Sequence, residues 1–121
     1  MRIIFIAAYL LLLLSAPAVA AQTVYSRVIE DLPLMPGMAE LSDNAVVFDK
    51  PSGRIVETEA TTTASPASVR KFYAEALPPL GWKALGVSEF VRDRETLKID
   101  IEEKKPEEVV HFTLTPASEG N

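Results

Sequence analysis

Apolar residues recur with helical spacing in one stretch of the chain, residues 63–82. Intervals of three and four residues place them on one side of a helix: Val69, Phe72, Tyr73, Ala76, Leu77 and Leu80. Ser65 is suited to cap this helix, and Pro66 to its first turn, where a missing N–H costs nothing. A helix with a single apolar side must bury that side, so we expect it to pack on the rest of the chain.

The end of this helix is open to two interpretations, because Pro78 and Pro79 follow its last turn. The helix can end near Leu77, since a residue before proline disfavours helical angles. Alternatively, it continues through one kinked turn to Leu80, with Gly81 as a left-handed terminator.

The second half of the chain alternates apolar and polar residues, which predicts antiparallel strands with one face in water. The apolar members of two such strands are Leu97, Ile99 and Ile101, and Val110, Phe112 and Leu114. A turn at Asp93 and Arg94 would bring Phe90 opposite Leu97. An earlier turn, residues 49–53, would place Phe48 opposite Ile55 and Asp49 opposite Arg54.

These elements predict one α+β domain, an antiparallel sheet of about five or six strands with one helix packed across one face. We assign residues 45–116 to this domain and residues 117–121 to a flexible tail. Residues 21–44 are predicted to form an extended entry segment. Its prolines exclude a regular helix and a central strand in residues 31–38.

The entry segment is nevertheless apolar, because it carries Leu34, Met35 and Met38. One interpretation is that these residues close an end or an edge of the core, as buried apolar groups generally do. The other is that they bind a partner, for which methionine is an adaptable contact.

Residues 1–20 have the pattern of a bacterial signal peptide. Arg2 precedes an apolar run at residues 3–14, and small residues ending in Ala-x-Ala favour cleavage after Ala20, with Ala21 as the second choice. The alternative is an uncleaved anchor, but the apolar run is shorter than the ~20 residues that span a bilayer. We therefore predict a periplasmic or secreted protein.

Composition limits the partners and the chemistry of the mature chain. There is no cysteine, which excludes disulfides and thiol chemistry. Loss of Arg2 lowers the 12 basic residues to 11 against 17 acidic ones, so the formal charge falls from −5 to −6. Such a chain repels nucleic acid and anionic lipid. We predict no nucleic-acid partner and no stable membrane insertion after cleavage.

One pair of residues suggests proton chemistry, His111 and Asp100. If Ile99 faces Phe112, Asp100 lies opposite His111, and a two-residue slip would place Glu102 there instead. The pair could act as a general base or a pH sensor. We favour an ordinary cross-strand polar pair, because no nucleophile or second catalytic group accompanies it. A single histidine also excludes multi-histidine metal sites, and we predict neither a metal nor a cofactor.

Three aromatic residues, Phe72, Tyr73 and Trp82, are candidates for lining a pocket between helix and sheet. An aromatic platform there could hold a small molecule or lipid. A lone tryptophan at the start of a strand is more often a core anchor, which is the interpretation that we favour for Trp82.

The sequence S-P-A-S-V-R-K-F-Y at residues 65–73, followed by L-P-P-L-G-W at residues 77–82, resembles a pattern in small exported bacterial proteins. In these proteins an S-P-x-x-V-x-x-F-Y helix leads through L-P-x-x-G-W into an antiparallel meander. The resemblance covers residues 58–115 and extends less clearly to residues 31–38. It implies an exported α+β domain and no activity, ligand or catalytic residue.

The leading hypothesis is therefore a non-enzymatic periplasmic module that binds an envelope protein or another envelope component, with Leu34, Met35 and Met38 as contacts. The second is a small-molecule or lipid carrier using the pocket near Phe72. An enzyme based on His111 is the third. The identity of the partner and the oligomeric state do not follow from the sequence.

Overall fold

The computed structural model describes residues 22–117. The predicted signal peptide and residues 118–121 of the predicted tail lie outside this range. Within it there are nine strands, which we number β1 to β9: Val24–Tyr25, Pro33–Leu34, Ala39–Glu40, Val46–Lys50, Gly53–Thr62, Lys83–Ala84, Glu89–Arg92, Glu95–Lys104 and Glu107–Pro116. One α-helix, α1, spans Pro66–Ala76, and two short 3-10 helices span Ser42–Asn44 and Pro78–Leu80.

Seven of the nine strands form one antiparallel sheet in the order β3-β5-β9-β8-β7-β6, with β4 also paired to β5. Strands β1 and β2 form a separate two-stranded ribbon. The predicted α+β architecture is confirmed, but the predicted count of about five or six strands is too low. The additional strand of this sheet is β3, a two-residue segment that is too short to produce a visible alternation of apolar and polar residues.

Helix α1 begins as its sequence indicates. The side chain of Ser65 accepts a hydrogen bond from the backbone N–H of Ser68 at 3.2 Å, and Pro66 occupies the first helical position. Both interpretations of the helix end hold in part. The α-helix stops at Ala76, and a separate 3-10 turn then continues to Leu80, where Gly81 adopts a φ of +94°. The prolines cause this division, since neither can donate a helical hydrogen bond.

The predicted hairpin registers are confirmed at all three turns. Phe48 pairs with Ile55, Phe90 with Leu97, and Ile99 with Phe112, the last pairing bringing Asp100 opposite His111. A period-2 pattern excludes one-residue shifts, because these would move the apolar residues to the other face of the sheet. For the last hairpin, where a two-residue slip was also open, the structure selects the register with Asp100 opposite His111.

The core lies between α1 and one face of the sheet. On the helix, Val69, Tyr73 and Leu77 are fully buried, and the Tyr73 ring packs edge-on against Phe112 at 5.5 Å between centroids. The entry segment completes this core, because Ile29, Leu32 and Leu34 belong to the same buried cluster: Ile29, Leu32, Leu34, Val56, Ala60, Val69, Tyr73, Leu77, Trp82, Phe90, Leu97, Ile99, Val110, Phe112 and Leu114.

Candidate functional site

An apolar groove of about 310 Å³ lies between the entry segment and one flank of α1. The helix contributes Phe72, Ala76 and, from the 3-10 turn, Leu80. The entry segment contributes the other walls: Gln22, Thr23, Val24, Tyr25, Pro33, Leu34, Met35, Pro36, Gly37 and Met38. None of these residues is charged, although 24% of the chain is. The groove is therefore suited to an apolar, neutral ligand surface.

The three contact residues predicted in the entry segment, Leu34, Met35 and Met38, all line this groove. They differ in how far they reach solvent. Leu34 is only 5% exposed and belongs to the core, whereas Met35 and Met38 are partly buried against it. The two methionine side chains are thus the members of the predicted set that face the open part of the groove.

The structure separates the three aromatic residues predicted to line one pocket. Phe72 lies in the groove, opposite the entry segment and away from the sheet. Tyr73 and Trp82 are 1% and 4% exposed and do not line the groove. They instead contribute to the core cluster that supports α1.

The Tyr73 hydroxyl connects the core to the groove. It donates a hydrogen bond to Met38 Sδ at 3.6 Å, and this bond fixes the position of one residue that lines the groove. Burial raises the pKa of the Tyr73 phenol well above its ordinary value of 10.0. The Met35 backbone amide opposes this rise and the negative charge of Glu40 adds to it. The phenol therefore stays protonated at neutral pH and keeps its donor role.

Glu40 on β3 fixes the loop that precedes the groove. Its carboxylate accepts hydrogen bonds from the hydroxyl of Ser26, from the backbone N–H of Arg27 at 2.8 Å and from the hydroxyl of Thr58 at 3.3 Å. The oxygen of Ser26 in turn accepts from the N–H groups of residues 28 and 29, each at 3.0 Å. This network attaches the entry segment to β5, so the groove wall is built into the fold.

A second attachment lies just beyond the C-terminal end of α1. The guanidinium of Arg92 stacks 4.5 Å above the ring centre of Trp82 and donates a hydrogen bond to the Leu80 carbonyl at 2.9 Å. The same guanidinium lies 4.0 Å from the carboxylate of Asp31. Arg92 thus joins the 3-10 turn, the sheet and the entry segment through one side chain.

His111 lies on the opposite, open face of the sheet, between two carboxylates. Its Nε2 lies 2.9 Å from Glu102 Oε2 and its Nδ1 lies 3.3 Å from Glu59 Oε1. Asp100, which faces His111 in the register, lies 3.8 Å from Lys98 instead. The longer Glu102 side chain reaches His111 diagonally across the strands, and Glu59 reaches it from directly opposite on β5.

The hydrogen bond from His111 holds the pKa of Glu102 below its ordinary value of 4.5, and Lys104 lowers this pKa further. Desolvation opposes the effect of His111 and outweighs the charge of Lys104, but the pKa remains lowered. The histidine lies outside the apolar groove. Among residues 22–117, no group of three or more histidine and carboxylate side chains is placed to hold a metal ion.

Sequence reasoning missed Val24 in the first wall of the groove, and it missed the network around Glu40. The sequence does contain a pattern for the helix wall of the groove. Phe72, Ala76 and Leu80 are spaced four residues apart and form a row separate from the residues that face the sheet. Nothing in the local pattern shows that the entry segment would fold back over that row.

In the part of the chain that the structure describes, no helix has both the length and the apolar character needed to cross a membrane. Comparisons with protein-family models, with curated proteins and with solved structures found no match to this chain.

Proposed function

We propose that this protein is an exported, non-enzymatic binding module of the bacterial envelope, and that its groove receives an apolar segment of a protein partner. The observation that carries this proposal is the composition of the groove, in which thirteen lining residues include no charged side chain. In an acidic chain, an uncharged concave surface of this kind is a site where an apolar partner can displace water.

The exposed rim of the groove favours a protein partner. Val24 and Tyr25 are 62% and 48% exposed and stand beside the opening, so an extended partner could contact them while one of its side chains enters. Met35 and Met38 supply unbranched, polarizable side chains that adapt to different apolar shapes. A neighbouring hollow with the more polar lining of Arg27, Glu40 and Ser42 would contact the flanking part of such a segment.

A second candidate function is a carrier for a small apolar molecule or lipid. Its support is the volume of about 310 Å³, which is at the lower end of the roughly 300–1,000 Å³ of ligand pockets. The half-open form of the groove leaves much of such a ligand in water, which is why we place the protein partner first.

A site-directed crosslinking experiment tests the first candidate. A photo-reactive phenylalanine analogue replaces Val24 at the groove rim, and in a matched control it replaces Val87, which is 83% exposed but lies away from the groove. After illumination in envelope extract, we expect a discrete crosslinked partner at position 24 and none at position 87.

A Val24→Glu variant of the mature chain should lose this partner in an affinity pull-down, because its carboxylate would have to be desolvated in the groove. Val87→Glu should retain it. Equal crosslinking at both positions would contradict the proposal. A native mass spectrum of the purified protein with a bound small molecule, lost in Val24→Glu, would favour the carrier.

A further inference from the structure

An unpaired strand edge of five residues belongs to β4, Val46–Lys50. This strand pairs with β5 on one side and with no strand on the other. All five of its residues are exposed, including Val46 at 44%, Val47 at 56% and Phe48 at 42%. Natural proteins usually shorten or charge such edges, because an open row of backbone donors and acceptors recruits another strand. The opposite edge, β6, has only two residues.

We propose that β4 is a homodimer interface, in which β4 of a second copy pairs antiparallel with it about a two-fold axis at Val47. The proposal does not depend on the groove, since β4 contributes no residue to it. Such a contact is isologous: each copy presents the same strand, and the pairing closes after two chains.

The sequence of β4 is complementary to itself in this register. Val47 meets Val47 of the second copy on the helix side of the sheet. On the open side Val46 meets Phe48 of the second copy, and Phe48 meets Val46. Valine and phenylalanine are favourable cross-strand partners, so all three apolar residues gain apolar neighbours.

The neighbouring strand β5 extends these contacts. Val56, which is fully buried, pairs with Val47 within each copy. The dimer would therefore carry an unbroken row of four valines across the interface. On the open face, Ile55 pairs with Phe48 and lengthens the apolar row there.

The positions of the charged residues favour this register over the one centred on Phe48. Centred on Val47, the pairing places Asp49 opposite Ala45 of the second copy, while Lys50 lies beside the 3-10 turn Ser42–Asn44, which does not continue the strand. A shift of the centre to Phe48 would instead place Val47 opposite Asp49 and Val46 opposite Lys50. Apolar side chains would then face charged ones on both faces of the sheet, with no compensating ion pair.

Sedimentation velocity of the mature chain over a range of concentrations tests the proposal. We expect a monomer–dimer equilibrium at physiological salt. Val47→Lys should weaken dimerisation by roughly tenfold or more, because it sets two like charges directly opposite each other. Val87→Lys, with the same charge change at a more exposed site outside the interface, should leave the equilibrium unchanged.

Hydrogen exchange adds a local readout. The backbone amides of residues 46–50 should exchange more slowly as the concentration rises, and circular dichroism should show that the variants keep the wild-type fold. If Val47→Lys does not fold, Val47→Thr replaces it and should weaken dimerisation by a smaller factor. A monomer at every concentration, or a dimer that neither Val47→Lys nor Val47→Thr weakens, would overturn the proposal. Protection of β4 only in the presence of envelope extract would overturn it as well.

Discussion

At the scale of single residues, the side chains that hold this protein together are polar groups whose partners are distant in sequence. Arg92 is the main example, because its guanidinium contacts an aromatic ring, a helix-terminal carbonyl and a carboxylate from three separate segments. Periodicity places Arg92 at the end of a strand. It contains no information on which of these groups the side chain reaches.

We expect Arg92→Ala to lower the free energy of unfolding by about 1–3 kcal/mol, through loss of the stacking on Trp82 and of the hydrogen bond to the Leu80 carbonyl. Arg92→Lys should recover only part of this, since an ammonium group lacks the planar stacking surface. Urea unfolding followed by the fluorescence of Trp82, the single tryptophan, measures both variants. Arg70→Ala, at an exposed helix position, is the control and should change little. An unchanged stability in Arg92→Ala would show that these contacts are not formed in solution.

The Glu102–His111 pair predicts a pH dependence of stability. Because the folded state lowers the pKa of Glu102, the pair contributes stability above the ordinary value of 4.5 and loses it as the pH falls through the lower folded-state pKa. Glu102→Gln should therefore reduce stability at neutral pH and show a smaller loss on acidification below 4.5 than the wild type. Thermal unfolding at a series of pH values measures this difference. Glu75→Gln, on the exposed face of α1, should follow the wild-type curve.

At the scale of secondary-structure elements, local sequence determined most of what the structure contains. The cap at Ser65, the helix from Pro66 and the registers of the first two hairpins were predicted correctly, since each depends on residues close in sequence. For the third hairpin the sequence left two registers open, and the structure has the one that pairs Ile99 with Phe112. Three of the two-residue strands, β1, β2 and β3, were not predicted, because their partners rather than their own residues define them. β3, for example, is a strand only where Ala39 and Glu40 meet β5.

The start of β5 depends on the positive φ of Gly53, a backbone conformation that other residues rarely adopt. This residue has a φ of +136°, and a Cβ atom would lie 2.8 Å from Pro116 Cγ at the end of β9. We expect Gly53→Ala to lower the free energy of unfolding by more than about 1 kcal/mol, through backbone strain and this close contact. Gly86→Ala is a matched control, with no heavy atom within 4 Å of the new Cβ, and should be close to neutral. Chemical denaturation compares the two, and equal stabilities would contradict the prediction.

At the scale of the whole molecule, the entry segment is part of the folded unit. Ile29, Leu32 and Leu34 are 1%, 1% and 5% exposed within the core. A fully buried aliphatic side chain contributes about 1.5–3 kcal/mol, and a domain of this kind is stable by roughly 5–15 kcal/mol in total. Removing these three side chains would therefore cost a large share of the stability of the domain.

A mature chain that lacks residues 22–38 should consequently lose its cooperative thermal transition, which circular dichroism can measure. Val24→Glu, a single change at the exposed groove rim, should keep that transition and is the appropriate comparison. A truncated chain that still unfolds cooperatively near the wild-type temperature would show that the segment only covers the core. It follows that partner binding is better tested with single rim substitutions than with a deletion.

The α+β class, the helix with its cap and the pairing within the first two hairpins follow from the sequence alone. These features arise from periodicity, turn chemistry and proline geometry over short distances. The sequence also identified the apolar residues Leu34, Met35, Met38 and Phe72, but not that they share one groove. The shared groove and the side chains that contact His111 are visible only in the tertiary structure. Both depend on contacts between segments far apart in the chain, whose placement is determined by the packing of the whole core.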